Sequence, residues 1–74
     1  MKNLHFSRHS ERQMKWRKIV ASKVKEVIKG PDSILDSAKG RKNATKTIGK
    51  RLLQETFREE ADRIVIITAI AKPR

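Results

Sequence analysis

The chain has 74 residues, 36% of them apolar and only 4% aromatic (Phe6, Trp16, Phe57), which allows one small core and no cleft walled by a second domain. With no cysteine and two histidines it excludes a disulfide framework, a cysteine-ligated metal and a histidine-rich metal centre. Its 19 Lys and Arg against 8 Asp and Glu give a net charge of +11, a field that draws polyanions and makes nucleic acid, the ribosome, an anionic membrane or an acidic protein the candidate partners. No apolar run approaches the length of about 20 residues that spans a bilayer, and residues 1–6 lack a signal-peptide hydrophobic region. The expectation is a single cytoplasmic basic domain over 1–74, with no membrane contact and no cofactor.

Leu4-His5-Phe6 reads as a short extended entry, and Ser7 as a helix N-cap whose hydroxyl accepts from a free amide of the first turn. Two helices are expected over about 8–17 and 22–29, because Ile19-Val20 is β-branched and Ser22 is a second plausible cap. Val20, Val24, Val27 and Ile28 follow the spacing of one apolar stripe, and Gly30-Pro31 stops the second helix, with Gly as a left-handed cap. Ser33–Asp36 is a short strand candidate and Lys39-Gly40 a turn. If Lys42 to Lys50 is extended, Lys42, Ala44, Lys46, Ile48 and Lys50 share one face and the three lysines form a ladder.

Arg51 to Arg58 carries Leu52, Leu53, Thr56 and Phe57 at helical spacing, so pattern alone leans towards a helix. The next segment, Arg63 to Ile70, is rich in β-branched residues and reads as a strand with Ile64, Ile66 and Ile70 on one face and Val65, Ile67 and Ala69 on the other. A strand apolar on both faces is central in its sheet and needs paired neighbours, which favours a strand at 51–58. One face of such a sheet is expected to be partly bare, because the only helices fall in residues 7–30.

Phe6-Ser7-Arg8-His9-Ser10-Glu11-Arg12, Gly30-Pro31-Asp32, Ile48-Gly49-Lys50-Arg51-Leu52-Leu53 and Ile64-Val65-Ile66-Ile67-Thr68-Ala69 together resemble a family of small uncharacterised prokaryotic domains. That family's pattern is F-S-x-H-A-x-x-R, a helix ending near Pro-Asp and a closing hairpin ending in V-V-T. Ser7, His9 and Arg12 are read onto its start, with Ser10 where Ala is usual. The family looks like a relative of RelE- and BrnT-type toxins. The resemblance implies an α+β fold in which two N-terminal helices pack on a three- or four-stranded antiparallel sheet, with RNA cleavage by a basic surface and inhibition by an acidic antitoxin as in RelE- and BrnT-like proteins, whereas ParE-like relatives act otherwise.

Cleavage through the 2′-hydroxyl needs a base for that hydroxyl, an acid for the departing 5′-oxygen and cations for the phosphorane charge, and it requires no metal. His9, in the first helical turn beside Arg8 and Arg12, is the candidate base, and Arg12 the candidate phosphate clamp. Lys42, Lys46, Lys50, Arg51 and Arg58 are the candidate nucleic-acid contacts of the sheet. Two alternatives stand beside this reading: His9 as a packing residue of a structural corner, and the whole chain as a noncatalytic module that binds RNA or a ribosome. His5 reads as a surface strand residue, Trp16 and Phe57 as core. The partly bare sheet face suits an acidic partner segment or a second copy of the chain.

Overall fold

The computed structural model describes residues 2–73 and runs β1 (Asn3–Phe6), α1 (Arg8–Arg17), α2 (Ala21–Lys29), β2 (Ser33–Asp36), a single 3₁₀ turn (Ala38–Gly40), β3 (Lys42–Ile48), β4 (Arg51–Glu59) and β5 (Arg63–Pro73). The five strands form one sheet in the order β1-β5-β4-β3-β2, with both helices on one face. The expected α+β class with two helices holds, but the sheet has five strands and is mixed. The chain enters through β1 before the helices, and β1 lies parallel to β5 while the other pairings are antiparallel. Sequence patterning missed the pairing because β1 is only four residues long and its partner lies some 60 residues away.

Ser7 makes the corner between β1 and α1. Its hydroxyl accepts from the Ser10 amide at 3.1 Å and donates to the Ile67 carbonyl at 3.2 Å, and its own amide donates to Ile66 at 3.0 Å. The capping residue of the helix is thus also a stitch to the central strand. At the far end of α1, Lys18 takes the left-handed conformation (φ 56°) that usually falls to glycine, and its amide donates to the carbonyls of Met14 and Lys15. Gly30, expected to be left-handed, sits instead at φ −141°; Pro31 alone enforces the stop after α2.

The core lies between the helices and the sheet. Met14, Ile19, Val24 and Val27 come down from the helical side onto Ala44, Leu53, Phe57, Ile64, Ile66 and Ala69. Val20, expected in the α2 stripe, is 58% exposed because it is the non-helical N-cap residue and stands outside the periodicity. Trp16 is no core residue either: it is 79% exposed, on a side of α1 turned away from Ser10 and Met14.

β4 is a strand, as its pairing with β5 required, and Leu53, Glu55 and Phe57 alternate towards the helices. Arg51 to Phe57 could have turned as a helix in isolation. It does not, because ladders on both sides satisfy its backbone groups. The register slips between Thr56 and Phe57, leaving Ile67 unpaired as a bulge on β5. That bulge corrects the expected faces: Ala69 joins Ile64 and Ile66 under the helices, and Ile70 moves to the face away from them with Val65, which is itself buried.

Candidate nucleic-acid interface

Register places the basic residues of the sheet. On β3, Ala44 is buried in the core, so Lys42, Lys46 and Ile48 face the helical side with it. The three-lysine ladder is not formed as expected, since β3 ends at Ile48 and Gly49-Lys50 is the turn into β4. Lys46 donates to the Gly30 carbonyl at 2.7 Å and lies 3.8 Å from Asp32, whose carboxylate also accepts from the Thr47 amide at 2.9 Å. Arg51 reaches across to the end of α1 and donates to the carbonyls of Arg17 and Lys18, where the negative end of the helix dipole emerges. Arg58 and Arg63 both bind Glu60, at 2.8 and 2.7 Å, and these guanidiniums hold its carboxyl below the usual range.

Of the five sheet residues expected to touch nucleic acid, Lys46 and Arg51 tie the sheet to the helical layer. Arg58 is paired on the opposite face, Lys50 stands at the β3–β4 turn, and Lys42 lies at the far end of β3 beyond the core. They do not share one surface.

Lys42 and Lys50 are exposed and enter no ion pair among the described residues, and the helical layer adds a longer row of such cations. Arg8, Arg12, Lys15, Lys18, Lys25 and Lys29 are exposed, and among the described residues no ion pair engages any of them; only Lys23 is paired, to Glu26 at 3.3 Å. Arg8, Arg12 and Lys15 stand four and three residues apart, so they rise along α1 in steps of about 6 and 4.5 Å. His9, Arg12 and Trp16 follow the same three- and four-residue spacing and form an exposed stripe beside the buried side of the helix. The Arg17 guanidinium lies over one face of the exposed Trp16 ring, 5.2 Å from its centroid. The stripe could be anticipated from spacing once Ser10 and Met14 are known to be the buried side. Apolar character alone pointed Trp16 inward.

The α1–α2 elbow adds a cavity of about 230 Å³. Ile19, Ile48 and Leu53 are its apolar lining, Lys18, Lys23 and Arg51 its cations, and the exposed Val20 its edge. Val20 provides no side-chain cap for α2.

His9 and Arg12 are both exposed and one helical turn apart, so the corner that carries them is held by Ser7 and Ser10 rather than by the imidazole. Aligned on Phe6 and His9, the eighth position of F-S-x-H-A-x-x-R is Gln13, not Arg12. The Gln13 side-chain carbonyl accepts from the Ala69 amide at 2.8 Å, two residues past the β5 bulge.

Sequence reasoning passed over Glu55. It is wholly buried on the helical side of β4 between Ala44 and Ala69, and neither carboxylate oxygen has a hydrogen-bond partner. Burial pushes its pKa up to about 8, so the side chain is mostly neutral at pH 7. Among the described residues no group of His, Cys, Asp or Glu could hold a metal ion, and no helix is long and apolar enough to cross a membrane.

Comparison with known proteins returned no match: no family model, no curated protein and no solved structure corresponds to this chain.

Proposed function

We propose that this chain is a basic domain that binds single-stranded RNA along the exposed side of α1. The reading is carried by the row of unpaired cations, Arg8, Arg12 and Lys15, beside an exposed tryptophan with an arginine over one face of its ring. Cations spaced along a helix can follow a phosphate backbone, and an indole presents a face on which any base stacks. Free RNA, or a single-stranded segment of a ribosome, supplies both groups.

A second reading, a RelE- or BrnT-like toxin that cleaves RNA without metal, is favoured by one observation: His9 and Arg12 lie on the same exposed side of α1 as this track. In that reading His9 is the general base and Arg12 the phosphate clamp. Loss of RNA cleavage in His9→Ala with binding retained supports it; a protein that binds and never cleaves leaves the noncatalytic module.

Trp16 is the sole tryptophan, so its fluorescence reports on binding directly. Titration with a single-stranded oligonucleotide between 50 and 200 mM salt is expected to give a log K slope of about −0.7 per neutralised phosphate. Replacing Arg8, Arg12 and Lys15 by Gln should flatten that slope by about 2. An unchanged slope in this variant, with a flattened one in Lys42→Gln/Lys50→Gln, would move the interface to the sheet and overturn the reading.

A further inference from the structure

We infer that the cavity at the α1–α2 elbow receives one unstacked base of the bound strand while Lys18 and Lys23 hold its phosphate; this rests on the RNA-binding reading above. The size comes first. At about 230 Å³ the cavity is smaller than the sites of roughly 300 Å³ and more that enclose drug-sized ligands. A dry cavity of about 150 Å³ already accepts benzene, so this one takes a single heterocycle and little else.

The chemistry of the walls narrows the occupant. Ile19, Ile48 and Leu53 present aliphatic surface to a flat ring, and no acid lines the cavity. The three charged residues around it are all cations. Lys18 is exposed and unpaired among the described residues; Lys23 shares only a half-exposed ion pair with Glu26. The Arg51 guanidinium is held by the carbonyls of Arg17 and Lys18 and so contributes a fixed positive charge. A group with an apolar ring joined to an anion matches this arrangement, and a nucleotide is such a group. Continuity settles the choice between a nucleotide of a strand and an apolar side chain of an acidic protein. The cavity lies past the C-terminal end of the α1 cation row, next to Trp16 in sequence, with Lys50 beyond Arg51 on the other side. A repeating anion can follow cations on both sides of the opening. RNA sequence preference, if any, then resides at the one nucleotide whose base leaves the stack.

The test uses the intact protein, with ¹³C-labelled methyls of Ile19, Val20, Ile48 and Leu53 as probes. An oligoadenylate and an abasic ribose-phosphate oligomer of equal length are titrated at low salt. The oligoadenylate should shift these methyls and bind about tenfold more tightly than the abasic strand, a difference of about 1.4 kcal/mol. Trp16→Ala, which removes the stacking face, should weaken binding with the cavity methyls still shifting and part of the preference retained, and adding Ile48→Phe, which fills the cavity, should remove that remaining preference and keep the abasic affinity. Equal binding of both strands with still methyls would overturn the base site and leave the RNA reading standing. Failure of both strands to bind would remove the RNA reading itself. A preference that survives the combined Trp16→Ala and Ile48→Phe changes would place the base elsewhere. An acidic leucine-bearing peptide that moves the methyls when RNA does not would make the cavity a protein-docking site and overturn the proposal.

Discussion

The helical layer and the sheet are both rich in lysine and arginine, yet they use these residues differently. Residues 39–51 are the densest basic segment of the chain, with no acid among them. Two of its cations nevertheless bind carbonyls and hold the sheet to the helices. Farther along the sheet, Lys2, Arg58 and Arg63 meet Glu59 and Glu60. The helices carry their cations at intervals, facing water, and with a single acid paired back to them. Linear charge density therefore does not measure availability: Lys46 and Arg51 are fastened to carbonyls, while Lys39, Arg41, Lys42 and Lys50 of the same segment take no side-chain partner among the described residues, as Arg8, Arg12 and Lys15 take none on α1. An exposed ion pair adds little to stability, so the lesson concerns availability for a ligand more than folding energy.

The largest effect expected from breaking this division lies where the layers meet. Folding keeps the Glu55 carboxyl neutral up to about pH 8, whereas the unfolded chain ionises it near 4.5. The folded pKa is raised, so this contribution to stability is fully present below about pH 4.5 and is lost as pH rises through about 8. Integrated over that window the loss is on the order of 4 kcal/mol, a large fraction of what a domain of this size possesses. Glu59 and Glu60 work in the opposite direction: their lowered pKa values mean that their partners' support disappears as pH falls below the usual carboxylate range. Urea unfolding should thus show maximal stability near pH 5 and a decline towards pH 8. Glu55→Gln should flatten the decline, and Glu55→Met should raise stability at pH 8 by several kcal/mol. A decline that persists unchanged in Glu55→Gln would assign it to another group.

Arg51 sharpens the contrast from the sheet side. Two charge-assisted hydrogen bonds to the end of α1 predict that Arg51→Ala lowers stability by about 1.5–3 kcal/mol, with Arg51→Lys recovering only part because an ammonium cannot reproduce the fork. Thermal melts of both variants beside Arg12→Ala are the measurement. A loss no larger than that of Arg12→Ala would show that Arg51 does not fasten the layers.

Lys18 gives the smallest effect and the clearest separation of roles. Its left-handed backbone is the conformation glycine adopts without strain, so Lys18→Gly should stabilise the fold by about 1 kcal/mol. The same change removes a cation from the elbow, and RNA affinity should fall while the melting temperature rises. Parallel movement of the two quantities would contradict the assignment of Lys18 to the interface.

Much of the fold was legible from local signals. Ser7 capped α1, the i, i+3, i+4 spacing of Val24, Val27 and Ile28 announced α2, and Pro31 ended it. The β-branched run from Ile64 to Thr68 announced a central strand, which in turn drew residues 51–58 into a sheet against their own helical spacing. These features depend on neighbours within a turn or two, or on a strand's need for partners, and such needs are written along the chain. The parallel pairing of β1 with β5, the bulge at Ile67 and the burial of Glu55 between Ala44 and Ala69 are not, since each depends on residues brought together from distant parts of the sequence. For the proposed interface, the sequence by itself determined a strong positive charge, and its density pointed to the sheet cations Lys42, Lys46, Lys50, Arg51 and Arg58 rather than to the α1 row. Only the tertiary structure decided that Lys46 and Arg51 would be spent on carbonyls while Trp16 stayed in water, because a cation's freedom is settled by which backbone and carboxylate groups the folded sheet brings within its reach.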